Sequence, residues 1–202
     1  EKGWLSWRDE LKSEVLDPGN CRAVAIPDHQ VAHVYINDPS ITEEVAETLR
    51  ATEGVAAVYE ASSLESIGLN HERSGDLVVV SDEHSWFTYY YWKSDRKAPD
   101  YARCVDIHRK PGYDPVELFL DPKIKFPKLK IAGKLIRKAL GFRMLMNVIP
   151  LDASLVKGSH GAIPEDQADH PLLIGALDVG GQVTSIEATE VYDQLLKVCT
   201  IK

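Results

Sequence analysis

Asp106, His108, Arg109 and Lys110 place an acid, an imidazole and two cations together at the start of the run DIHRKPGYDP. On an extended segment alternate side chains share a face, so Asp106 and His108 would address one metal ion or one phosphate, with Arg109 or Lys110 as charge partners. The competing reading is a surface loop held by an Asp–His hydrogen bond, because a metal site needs several converging donors. His160 lies between two glycines in GSHG (158–161). Glycine lets the backbone turn sharply against a ligand, and a neutral imidazole is a good zinc donor, although the same tetrapeptide also describes an ordinary turn. His29 and His33 follow Asp28 at a spacing of four, but the Val, Ile and Tyr around them predict strand. There the two imidazoles share a face at some distance, and a structural or pocket-lining role is expected. Asp82 and His84 read as the end of a strand. The chain contains no P-loop, GxGxxG, GxSxG or HExxH pattern, which removes the common nucleotide-fold, serine-hydrolase and zincin chemistries.

The elements that must position these residues follow from periodicity. CRAVAIPDHQVAHVYI (21–36) reads as two strands, or one bent strand, broken at Pro27-Asp28. Ser40 with Glu43 forms a capping-box pattern, and Ile41, Val45 and Leu49 predict a helix to about Ala51, stopped by Gly54. VAAVYE (55–60) reads as a strand, 62–75 as turns, and DLVVVSD (76–82) as a strand apolar enough to be buried on both faces. WFTYYYW (86–92) is strand-like, while 93–122 is loop punctuated by prolines. Residues 123–143 hold eight basic side chains and no acid; set against a net charge of −8, that leaves −16 for the rest. Within them 129–140 fits a basic amphipathic helix through Leu129, Ile131, Leu135, Ile136, Ala139 and Leu140. Such a helix either draws an anionic phosphoester or lipid surface towards the protein, or is a solvated cationic face on an acidic domain. After GSHG come an acidic loop, an apolar strand (171–177) and a helix over 188–199.

The expected architecture is an α/β domain with a mixed sheet. Residues 1–92 form its strand-helix-strand part, 93–157 an insertion carrying the basic segment, and 158–202 a return to the main sheet. With 202 residues, 44% hydrophobic and 27% charged, the composition is that of a soluble globular protein. The acidic balance excludes a protein that coats nucleic acid. No apolar run approaches the roughly 20 residues needed to span a bilayer. Cys21, Cys104 and Cys199 fit neither a disulfide framework nor a CxxC zinc site, which predicts buried thiols and a cytoplasmic location. The first residue is Glu1 and no signal pattern follows it, so an upstream segment is expected.

Taken in order, RSGDLVVVSDEHSWFTYYYW (73–92), DIHRKPGYDPVELFLDP (106–122) and GSHG followed by HPLLIG (158–175) resemble the carboxyl-terminal half of type I phosphodiesterase/nucleotide pyrophosphatase proteins. These belong to the alkaline phosphatase superfamily, and the likeness is closest to a bacterial branch of phosphohydrolases. The resemblance covers most of residues 20–200. It implies an alkaline-phosphatase-like α/β domain and hydrolysis of phosphate esters. It also implies two divalent metal ions, zinc being the expected one, about 4 Å apart and completed by residues outside this chain. GSHG resembles the family's Gly-x-His-Gly loop, which makes His160 a metal ligand. Asp106 and His108 match no family ligand, so their metal role rests on local chemistry alone, with Arg109 and Lys110 expected to meet substrate. Asp28-His29-Gln30 departs from the family's Asp-His-Gly motif and receives no ligand role. The nucleophilic Thr or Ser and the other ligands belong to the family's amino-terminal half. The resemblance therefore implies a chain inactive alone, partnered by its upstream half and a small-molecule phosphoester. The aromatic run 86–92 is expected as sheet core before substrate pocket. Two other classes stay open: a non-catalytic anion-binding module, and a membrane-surface domain working through 123–143.

Overall fold

The structure, a computed structural model, describes residues 2–164, 166–174 and 185–199. The chain divides into two compact units, Glu1–Ile163 and Pro164–Lys202.

The first unit opens with a hairpin of β1 (Trp7–Glu10) and β2 (Ser13–Leu16). Its turn residues Leu11 and Lys12 both have positive φ, the hand that matches strand twist. β3 (Ala23–Asp28) and β4 (Val31–Ile36) form a second hairpin, so the break expected at Pro27-Asp28 is a tight turn at His29-Gln30. α1 (Thr42–Arg50) follows, then β5 (Val55–Glu60) and β6 (Leu77–Ser81). The strands assemble in the order β3-β4-β6-β5 with every pairing antiparallel. The α/β class is as expected; the pairings are not mixed. The reason lies in β6. The unit β4-α1-β5 is the expected strand-helix-strand crossover, but it leaves a gap one strand wide, and β6 fills it antiparallel to both neighbours.

α1 begins where its periodicity predicts but is capped differently. Asp38, ahead of Pro39, accepts hydrogen bonds from the Ser40 backbone N–H and hydroxyl and starts a short 3₁₀ turn that leads into the helix. Proline's fixed φ favours such a start. The apolar stripe of α1 buries Val45 and Ala46 against Ala23, Val34, Leu77 and Val79. β6 is buried through Leu77, Val78 and Val79, as its unbroken apolar run requires.

Residues 86–92 are not a strand. Tyr89 and Trp92 pack edge to face, with ring centroids 5.6 Å apart, in a cluster with Tyr101 and Ala102. The Tyr91 hydroxyl donates to the Glu14 carbonyl (3.2 Å) and accepts from the Leu16 N–H (3.1 Å), tying this segment to β2. The aromatic run is thus core, as expected, through ring packing and not a strand ladder. α2 (Pro127–Ala139) occupies the basic segment.

In the second unit a 3₁₀ turn at Ala188–Glu190, closed by a reciprocal Glu187–Glu190 capping box, leads into α3 (Val191–Val198). Residues 171–174 of the expected strand have no regular structure, and 175–177 lie outside the described residues. No helix among the described residues is long and apolar enough to cross a membrane.

Candidate active site

The β3–β4 turn puts His29 into the left-handed region, at φ 56°. A non-glycine residue there is held by its surroundings, and the surroundings are the GSHG loop. The Gln30 N–H donates to the His160 carbonyl at 3.0 Å. His29 Nδ1 lies 2.9 Å from the Ser159 hydroxyl. The Gln30 carboxamide donates to the Asp82 and Ser85 carbonyls at 3.0 and 3.2 Å, and its oxygen accepts from the Ala162 N–H at 3.4 Å. Two loops 130 residues apart are thereby fixed together. The His29 and His160 rings face each other with centroids 3.9 Å apart and a 32° tilt. His29 is buried and His160 exposed. Burial pushes the His29 imidazole below its ordinary value, and His160 adds to the shift while Asp28 opposes it. Of the two GSHG glycines, only Gly161 uses a glycine conformation (φ 119°), and a Cβ there would come within 3.1 Å of Val31.

A third loop completes the cluster. Tyr113 stacks on His29 with centroids 4.7 Å apart, and its N–H donates to the Pro27 carbonyl at 2.9 Å. This close approach depends on Gly112, at φ 135°, where a Cβ would sit 2.6 Å from Pro27 Cδ and 2.7 Å from its carbonyl oxygen. Gly112→Ala is therefore expected to destabilise the first unit by about 2 kcal/mol, combining backbone strain with a steric clash. Urea denaturation of the variant against the parent checks it, and a loss within error would show that the loop yields freely.

The residues 106–110 depart from expectation. They form a turn, with the Arg109 N–H bonded to the Asp106 carbonyl at 3.2 Å, so Asp106 and His108 do not share an extended face. Asp106 faces Arg109 (3.8 Å), and His108 is exposed. Arg109 also pairs with Asp100 at 3.1 Å and lies over the Tyr101 ring. Lys110 cannot meet a substrate anion in this arrangement, because its side chain is wholly buried. Its ammonium is committed to Asp114 (2.8 Å) and Glu117 (2.6 Å). Among the described residues no group of three or more His, Cys, Asp and Glu could hold a metal ion. His29 takes the structural, pocket-lining kind of role expected for it, but the sequence does not foretell its contact with GSHG. The sequence around it marks a break between strands, with no Asn-Gly or Asp-Gly pair to reveal a two-residue turn.

A family profile described as type I phosphodiesterase / nucleotide pyrophosphatase matches residues 1–114. That span contains the His29 turn and the Tyr113 loop but not GSHG. No curated protein and no solved structure matches the chain. The profile match takes in more than half of the 202 residues and the turn against which His160 rests, and on that basis the chain belongs to the type I phosphodiesterase/nucleotide pyrophosphatase family.

Proposed function

We propose that this chain contributes one wall of the active site of a metal-dependent phosphodiesterase or nucleotide pyrophosphatase, with His160 as a metal ligand. The observation that carries the reading is the exposed His160 imidazole, set at 3.9 Å on the buried ring of His29 by hydrogen bonds between the two loops. Zinc takes three or four protein donors. Among the described residues no set of three donors gathers, and His160 is the one donor this reading assigns. The remaining ligands and the nucleophile come from outside these 202 residues. A divalent metal bound there supplies Lewis acidity to a phosphoryl oxygen.

His29 supports this use in two ways. Burial lowers the His29 pKa from its ordinary value, which favours the uncharged ring beside a cation. Its Nδ1 contact with Ser159 and its stacking on Tyr113 fix the surface against which His160 rests. Of the two cations expected at the substrate, Arg109 reaches solvent and Lys110 does not.

Hydrolysis of bis(p-nitrophenyl) phosphate by the full-length protein tests the reading. Turnover is expected to vanish on chelation and to return with zinc, while the 202-residue chain alone shows none. Turnover indifferent to chelation would refute the metal reading. Metal-dependent turnover by the isolated chain would refute the placement of the nucleophile elsewhere.

A further inference from the structure

We propose that α2 and the turn following it form a docking surface for a membrane carrying anionic lipid, a property independent of the hydrolase reading. A surface helix of a globular domain ordinarily turns its apolar stripe inward and its charges outward. α2 departs from this: its large apolar side chains Leu129, Leu135 and Ile136 are exposed together with Lys128, Arg137 and Lys138. Pro127, Lys130, Ile131 and Lys134 are its half-buried positions, and the Lys130 ammonium donates to the Asn147 carbonyl at 2.6 Å. At 3.6 residues per turn, Leu129, Ile136 and Leu140 fall on the side away from Lys130 and Lys134. With Leu135 and the flanking Phe126 and Phe142, they are between 51% and 72% exposed. Six large apolar side chains within 126–142 thus stand in water, a concentration that marks an interaction surface.

The charge around this face selects its occupant. Residues 123–143 carry eight basic side chains and no acidic one. A second copy packed on it about a two-fold axis would set two such segments against each other, like charge on like. An anionic bilayer offers what the face lacks: hydrocarbon for the exposed Leu, Ile and Phe side chains, and a layer of negative charge at the depth of the cations beside them. A cleft of about 270 Å³ opens beside the helix, lined by Lys134, Arg137, Arg143, Met144, Leu145 and Asn147. Arg143 is paired with Asp100 at 3.0 Å, and Lys134 and Arg137 beside it suit a lipid phosphate. A helix of 13 residues lies on such a surface and does not cross it.

Co-sedimentation of the whole chain with vesicles tests the proposal. Binding is expected to phosphatidylcholine vesicles containing phosphatidylglycerol, not to phosphatidylcholine alone, and should weaken as salt rises. Lys128→Gln with Arg137→Gln, the cations flanking the apolar side, is expected to reduce partitioning roughly thirtyfold. Leu129→Ser with Ile136→Ser and Leu140→Ser should abolish it while the circular dichroism spectrum stays that of the parent, since these side chains are exposed. The proposal is overturned by absence of binding to the anionic vesicles, or by binding that neither variant weakens. It is equally overturned by a concentration-dependent dimer that the serine variant dissociates and anionic vesicles do not, because the occupant would then be a second copy.

Discussion

Alanine at position 160 is expected to lower metal-dependent phosphodiester turnover of the full-length protein by more than about a hundredfold, the upper end of what losing an outer hydrogen-bonding partner of a metal site costs. The proposed role is a direct one, so the loss should exceed that range. The substitution isolates the imidazole well. The bonds that fix the loop run through the His160 carbonyl and the Ser159 hydroxyl, and both survive in the variant. The ring itself is exposed, so stability should change by no more than about 0.5 kcal/mol. Zinc content, measured on the same preparation, should fall with activity. Turnover within a few-fold of the parent at unchanged zinc content would remove His160 from the metal. A fall in activity with full zinc retention would reassign it to substrate contact.

How much of this site was legible depends on which kind of information each part needed. α1, β5 and β6 follow from local spacing, because Ile41, Val45 and Leu49 repeat at helical period and Leu77, Val78 and Val79 form an unbroken apolar run. GSHG was singled out by its resemblance to a family loop, since its residue types alone also describe an ordinary turn. The contact of His160 with His29 was not legible, since it joins residues far apart through a turn that no local pattern announces. Asp106 and His108 failed for a related reason: alternation places two side chains on one face only if the backbone is extended, and here it turns. α2 marks a further limit. Its period shows that one side is apolar, but periodicity is blind to what lies on that side, and the structure turns it outward. The antiparallel sheet likewise depended on where β6 inserts, a choice made by long-range pairing.

Lys110→Met is expected to destabilise the first unit by roughly 3–5 kcal/mol, the range for removing one partner of a buried ion pair. The ammonium at this position is wholly buried, 2.8 Å from Asp114 and 2.6 Å from Glu117. The two carboxylates hold the turn together. Asp114 also accepts from the Val116 N–H and opens the 3₁₀ turn at Pro115–Leu118, and Glu117 accepts from the Asp106 N–H. Methionine keeps the volume and removes the charge, leaving two buried carboxylates without a cation. The pH dependence gives the mechanism away. Burial already holds the Asp114 carboxyl above its ordinary range, against the opposing pull of the Lys110 hydrogen bond. Without that hydrogen bond it moves higher still. A carboxyl whose folded pKa lies above its unfolded value favours folding once protonated and loses that advantage as pH rises through the folded pKa. The variant should therefore recover part of its lost stability between neutral pH and about pH 5, above the ordinary carboxyl range. Adding Asp114→Asn and Glu117→Gln removes the stranded charges, so the triple variant should be more stable than Lys110→Met alone. Urea denaturation of the three proteins at both pH values decides it. A loss below about 1 kcal/mol, typical of an exposed pair, or one identical at the two pH values, would show that the network is not a buried charge cluster.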